Sequence, residues 1–350
     1  MIKLQKWYEK TEADTGVVIS SRVRLARNLA DVPFSVRMDS SNSDDVVQRV
    51  KHSAISEQTA LAIQPHHMQF LDLAHIPNWD LNVLVERHII SPNMVDGKHY
   101  LRGLVYNETE DLSVMINEED HIRIQSIFVG QDLDAAYEAA NRLDDALAVS
   151  LNYAFDAKFG FLTSCPTNTG TGLRASCMLH LPLLESTGQL KSLADMIVKT
   201  GFVIRGANGE GSDPLGNIYQ VSNQITLGKT ENEILNSLKQ LVNQIVDRET
   251  ALRVRVLKDM NTEAADRIWR AYGILCNARK MTLKEATGLL SDIRAGQIMG
   301  IIEKPITKKT IYEIITNIQP YNLQRIMGVA NDTRHLEALR ADYLRQTFVN

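Results

Sequence analysis

The chain has 350 residues, 44% hydrophobic and 23% charged, which suits one large domain plus a smaller one, or two, around cores of ordinary size. Its net charge of −4 argues against a protein that works mainly by coating nucleic acid or an anionic membrane, and no apolar run approaches the roughly 18 residues of a membrane span. Cys165, Cys177 and Cys276 have no C-x-x-C spacing, so neither a disulfide framework nor a zinc site is supported, and a reducing, cytoplasmic setting is expected.

In chain order, GVVISSRVRLARN alternates from Val18, so Val23 and Leu25 face one way and Arg22 and Arg24 the other, as in a half-buried strand. Residues 96–128 predict a meander: strands near 100–107, 111–117 and 121–128, with Arg123 and Gln125 opposite Ile122 and Ile124. Residues 132–155 have apolar residues at helical spacing and predict one long helix. FLTSCPTNTGTGLRAS (161–176) follows and leads into a strand, ASCMLHLP, that stops at Pro182. Residues 201–228 predict a strand, a loop with Gly206, Gly209, Gly211 and Gly216, and another strand. From Thr230 the pattern turns helical, with Ile234, Leu238, Leu241, Ile245 and Leu252 near one face. After Asn261 come four or five helices, one opened by a Thr282–Glu285 capping box and the last starting near Asp332. That shift to helices alone divides the chain into 1–260 and 261–350.

The stretch 161–176 invites several chemistries. Gly170-Thr171-Gly172-Leu173-Arg174-Ala175 formally fits the G-x-G-x-x-G/A dinucleotide fingerprint, with Asp195 beyond it, but that fingerprint opens a helix in a βαβ unit, and here the glycines join two strands. No Gly-Lys-Ser/Thr follows, so a Walker A loop fails too. A free cysteine such as Cys165 is more often a small buried apolar residue than a catalyst, and no histidine sits in a motif that marks it as its partner. Arg22, Arg24, Arg123, Arg174 and Arg205 carry more weight. Singly each reads as one half of a surface ion pair. Together on one sheet face they are what a polyphosphate site lacking a P-loop lysine requires, because guanidinium keeps its charge and grips phosphate oxygens bidentately.

SSRVRLARN (20–28), NEEDHIR (117–123), CPTNTGTGLR (165–174) and IRGANGEGS (204–212) followed by GNIYQVSNQ (216–224) resemble, in that order, the phosphagen kinases, the ATP:guanido phosphotransferases. Phosphagen kinases carry a helical domain before the first motif, whereas here nineteen residues precede it; Glu210 lies inside the Gly-rich loop and a helical third follows. The chain is therefore similar to the bacterial branch of that family that acts on arginine side chains of proteins.

The resemblance implies an α+β fold: an antiparallel sheet flanked by helices, glutamine synthetase-like, over 1–260, plus a helical C-terminal domain over 261–350 for dimerisation and for substrate or phosphoarginine binding. It implies ATP across the arginine face, with Arg22, Arg24, Arg123, Arg174 and Arg205 on the phosphates, Val23, Leu25 and Ala26 beside them, and His88 of ERHIISP as a nucleotide contact. The main chain of 174–178 (Ala175, Ser176, Cys177 and Met178, the last in place of a family histidine) and of 205–210 (Gly206, Ala207, Asn208, Gly209 and Glu210) completes the pocket. Mg2+ is held mainly through ATP phosphates, and no metal is bound by protein side chains. A guanidinium is a poor nucleophile, so attack on phosphorus needs a base; the resemblance assigns Glu119, with Glu210 clamping the guanidinium and Cys165 as a thiolate-like partner that orients it. Near the chain's end Leu336–Ala341 resembles a phosphoarginine-pocket motif through Glu337, Arg340 and Ala341, without that motif's first arginine.

The activity implied is ATP-dependent phosphorylation of arginine in proteins, within bacterial stress response and protein quality control. The implied partners are protein substrates with exposed arginine, an activator protein, a Clp-type unfoldase or protease and a second copy of the chain, with no nucleic acid and no membrane. A small-metabolite guanidino kinase and a non-catalytic adaptor that keeps the fold are the alternatives.

Overall fold

Strand alternation and helix periodicity resolve into ten strands and twelve helices in a computed structural model that describes residues 4–10, 16–64, 67–95, 101–206, 214–258, 262–303, 305–329 and 335–349. The strands are β1 (Val18–Arg27), β2 (Met68–Asp72), β3 (Gly103–Asn107), β4 (Leu112–Ile116), β5 (Ile122–Val129), β6 (Phe155–Asp156), β7 (Gly160–Phe161), β8 (Leu173–His180), β9 (Phe202–Gly206) and β10 (Ile218–Asn223). The helices are α1 (Ser40–Ala54), α2 (Glu57–Ala62), α3 (Asn78–Glu86), α4 (Leu133–Ala148), α5 (Pro182–Ser186), α6 (Leu190–Lys199), α7 (Glu231–Lys258), α8 (Thr262–Asn277), α9 (Leu283–Ile298), α10 (Ile311–Asn317), α11 (Pro320–Met327) and α12 (Leu336–Val349).

Eight strands form one sheet in the order β2-β3-β4-β5-β1-β8-β10-β9, while β6 and β7 form a small ribbon. Neighbours from β2 to β1 pair antiparallel. Contacts group the chain into two units, one of 1–7, 20–176 and 222–239, the other of 8–19, 177–221 and 240–350.

In the first unit, α4 packs on β5 and α1 on β3 and β4, burying the face that holds Val23, Leu25, Val114 and Ile124. The opposite face is apolar over β3 and β4, where Leu104 and Met115 meet Leu81, Ile89, Ile90 and Met94. It turns polar at β5 and β1. In the second unit α9 lies against α8 and α10 and buries Leu290 and Ile293. The Thr282 hydroxyl caps it by accepting the Glu285 amide at 3.1 Å, as the sequence predicts.

Two sequence expectations need correction. The long helix ends at Ala148 instead of near 155, because the following backbone is drawn into extended pairing: Ala30 N donates to Asn152 O and Ala154 N to Asn28 O, at 3.0 and 2.7 Å. The buried face of α7 runs Ile234, Leu238, Val242, Ile245, Glu249, Arg253. Leu241 and Leu252 stand half-exposed beside it. Its last two core positions are an ion pair, which hydrophobic periodicity cannot register. The final helix is described from Leu336, and the expected start near Asp332 lies outside the described residues.

Candidate active site

Strand register gathers the arginines. Pairing of Arg24 with Gln125 and of Ala26 with Arg123 puts Arg22, Arg24 and Arg123 on one face of β1 and β5. Arg174, on β8 next to β1, lies close enough for its charge to act on Arg24. Burial holds the Arg24 guanidinium well below its ordinary pKa, and the charges of Arg22, Arg123 and Arg174 add to the shift, with Glu118 opposing them. Arg24 Nε is buried and makes no hydrogen bond among the described residues. A cation placed among cations, with a buried donor unused, fits a multiply charged anion such as a triphosphate. His88, held at a positive φ of 61°, lies near this face. Its imidazole is lowered to about 4 by burial and by the charge of Arg22, so it is neutral at pH 7.

The arginine face is edged by an acidic turn between β4 and β5. Asn117 takes the left-handed conformation there, with φ of 60°, and its amide donates to His121 O at 3.0 Å. Arg123 is gripped by both glutamates that follow: Nη1 lies 2.8 Å from Glu118 and Nη2 2.8 Å from Glu119. Glu118 is fully buried and also accepts from Ser91 Oγ and Asn93 Nδ2 at 2.6 and 3.2 Å. Burial alone would raise its pKa; the Arg123 charge and these hydrogen bonds outweigh that and hold it below the usual carboxylate value. The Glu119 side chain is 38% exposed, open to a substrate.

The glycines of 161–176 join strands. Gly172 has a φ of 65°, and a Cβ there would stand 2.5 Å from Arg27 Nη1 and 2.6 Å from Ala26 O. Arg27 is buried, pairs with Asp144 at 2.6 Å and lies 3.5 Å above the Phe161 ring, so it serves the fold. The half-buried Cys165 is a free thiol whose Sγ is 3.0 Å from Thr167 Oγ1. Asp120 Oδ1 accepts from Ser164 N at 2.7 Å, which joins the turns that carry Glu119 and Cys165.

The other sequence candidates are placed less directly. Val23, Leu25, Ala175 and Cys177 are buried on alternate positions, so a ligand could meet only their main chain, and the Ala175 amide already donates to Asn223 Oδ1 at 2.8 Å. Ala26, Ser176 and Met178 are also buried. Arg205 and Gly206 close β9 in the second unit, both half-buried, and 207–210, with Glu210, fall outside the described residues. Glu337 and Arg340 line a cavity of about 460 Å3 with Lys280, Thr282 and His335, and Ala341 is buried next to them. Arg340 Nε and Nη1 donate to the carbonyls of Ile318 and Met281. Among the described residues no three His, Cys, Asp or Glu side chains gather to hold an ion.

Sequence reasoning missed Glu118, Asp120, Asn28 and Asn223. All four lie inside the quoted motifs, but nothing local distinguishes a buried carboxylate or amide from an exposed one.

Residues 46–252 match the ATP:guanido phosphotransferase C-terminal catalytic domain, and residues 261–350 match the protein-arginine kinase McsB C-terminal domain. A protein-arginine kinase of Geobacillus sp. (strain WCH70) is 41% identical over 98% of this chain and 93% of its own length. One from Caldanaerobacter subterraneus subsp. tengcongensis is 39% identical over 95% and 96%. Among solved structures, a lombricine kinase crystal structure superposes with a TM-score of 0.60 at 25% identity, covering 72% of this chain and 70% of that one. An antiparallel sheet bearing a crowded arginine face, the catalytic-domain match and full-length likeness to these kinases converge: the chain belongs to the protein-arginine kinase family of ATP:guanido phosphotransferases.

Proposed function

We infer that this protein transfers the γ-phosphoryl group of ATP to arginine side chains of proteins. The observation that carries the reading is Arg24, half-buried with an unused donor and crowded by Arg22, Arg123 and Arg174, with the partly exposed Glu119 ion-paired to Arg123.

In the proposed site Arg22, Arg24, Arg123, Arg174 and Arg205 hold the phosphates, and the neutral His88 contacts the nucleotide. Mg2+, held mainly through the ATP phosphates that these arginines would bind, would supply charge neutralisation there. The substrate guanidinium nitrogen attacks Pγ; the N–P bond forms as the bond from Pγ to the β–γ bridging oxygen breaks, ADP leaves, and Glu119 takes the guanidinium proton. Glu119 is held by Arg123, which orients its carboxylate, while Glu118 supplies Arg123 with a permanent counter-charge. Cys165 orients the substrate guanidinium, and Glu210 clamps its other side.

We further propose a catalytic domain over 1–260 and a helical domain over 261–350 that dimerises and, through Glu337, Arg340 and Ala341, binds substrate or phosphoarginine. A cytoplasmic homodimer acting with an activator protein and a Clp-type protease in stress response and quality control fits the same family membership. No helix among the described residues is long and apolar enough to cross a membrane.

Incubation with Mg-ATP, casein and free arginine tests the reading, with acid-labile phosphate on arginine read by mass spectrometry. Label on casein arginines is the expected result. Label on free arginine alone would assign a metabolite kinase, and no label with intact ATP binding would assign an adaptor.

A further inference from the structure

Glu119 and Cys165 come from motifs far apart in sequence, yet a shared set of buried polar groups joins their turns. Asp120, fully buried, accepts with Oδ1 from Asn28 Nδ2 and from Ser164 N, both at 2.7 Å. Asn28 is itself fixed: its Oδ1 accepts from His121 N at 2.9 Å and its Nδ2 also donates to Leu162 O at 3.1 Å. A second link runs through Ser35, whose hydroxyl donates to Glu119 O and lies 3.3 Å from Ser164 Oγ. The Ser35 proton is spent on Glu119, so Ser164 donates to Ser35. Ser164 is thus tied twice to the Glu119 turn, once by its amide and once by its hydroxyl.

We propose that Asp120, Ser35 and Ser164 form a clasp that sets the spacing between Glu119 and Cys165, making Asp120 and Ser35 positioning residues for phosphoryl transfer. The proposal rests on the roles given above to Glu119 and Cys165. None of the three bonds to an arginine of the phosphate face among the described residues, so the clasp governs substrate geometry and leaves nucleotide binding alone. Only Oδ1 of Asp120 is used, and Oδ2 has no hydrogen bond among the described residues. An amide oxygen can take the place of Oδ1, so charge is dispensable and the acceptor is not.

The test compares Asp120→Ala, Asp120→Asn and Ser35→Ala in the full chain. Site-resolved alkylation of Cys165 by iodoacetamide reports the turn directly, with the buried Cys177 as internal reference. Steady-state kinetics separate kcat from KM for ATP. Asp120→Ala is expected to raise Cys165 alkylation severalfold and to lower kcat by about 10- to 100-fold, since small displacements of reacting groups cost that much. KM for ATP should stay within about twofold, and Asp120→Asn should restore both readouts. Ser35→Ala should shift them in the same direction, and it decides the matter if Asp120→Ala does not fold. Unchanged alkylation in folded variants overturns the clasp, as does a matched loss of ATP affinity or an Asp120→Asn variant as impaired as the alanine. If Glu119→Gln and Cys165→Ser both retain turnover, the site assignment fails, and the alkylation readout alone judges the clasp.

Discussion

Arg24 occupies a position that is unfavourable for folding. Its charge is desolvated, surrounded by like charges and only partly answered by Glu118. Replacing it by methionine, which keeps the length and loses the charge, should leave the melting temperature unchanged or higher while raising KM for ATP by at least about tenfold, the worth of one charge-assisted hydrogen bond. A thermal shift series checks the first half, and steady-state kinetics across ATP concentrations check the second. Glu119→Gln should lower turnover on protein arginine by about 10²- to 10⁴-fold with ATP binding retained, as expected for loss of a general base, and calorimetric ATP titration beside phosphoarginine quantification measures it. The arginines were legible in the sequence because β1 and β5 alternate strictly, so spacing alone fixes which side chains share a face. Asp120 and Asn28 were not, since their importance lies in partners some 44 and 92 residues distant that no local pattern encodes.

At the level of elements, the loop before β8 fits against the end of β1 only because Gly172 has no side chain. Gly172→Ala would need an unfavourable φ, costing about 1–2 kcal/mol, and would press on Ala26 O and the Arg27 guanidinium. We expect a destabilisation of at least that size in urea unfolding, with activity lost in proportion because Arg24 and Arg174 flank the contact. Thr282→Ala, at the start of α9, should cost about 1 kcal/mol and leave ATP kinetics alone. Helix starts of this kind were readable, since the cap residue and its partner lie three positions apart. The end of α4 was not: its sequence continues to favour helix, and pairing of 152–154 with the 28–30 segment overrides that preference. The same limit applies to α7, where Glu249 and Arg253 are buried as a pair.

At the scale of the whole molecule, three histidines among the described residues bind protons more weakly in the fold than in the unfolded chain. Burial is the leading cause for His88, His121 and His180, joined by Arg22 for the first and by Arg294 and Arg253 for the last. Between the ordinary value of 6.5 and the depressed values, about 4 for His88, the unfolded chain holds more protons. This stabilisation is complete above pH 6.5 and is lost as the pH falls, at up to about 1.4 kcal/mol per pH unit for each proton. Asp144 and Glu249, whose pKa values are raised chiefly by burial, act in the opposite sense. His88→Gln should therefore flatten the slope of unfolding free energy between pH 6.5 and 4 by up to one proton, as read from urea titrations at several pH values. The strand order has one more consequence. β1 sits between β5 and β8 and sends Arg22 and Arg24 one way, Val23 and Leu25 the other. Deleting or inserting a single residue within 20–26 would exchange these sets, thrusting guanidinium groups against α4 and leaving valine and leucine where nucleotide belongs. Over evolutionary time this strand can change by substitution but not by length, so variation in size within the family must collect in its loops and ends.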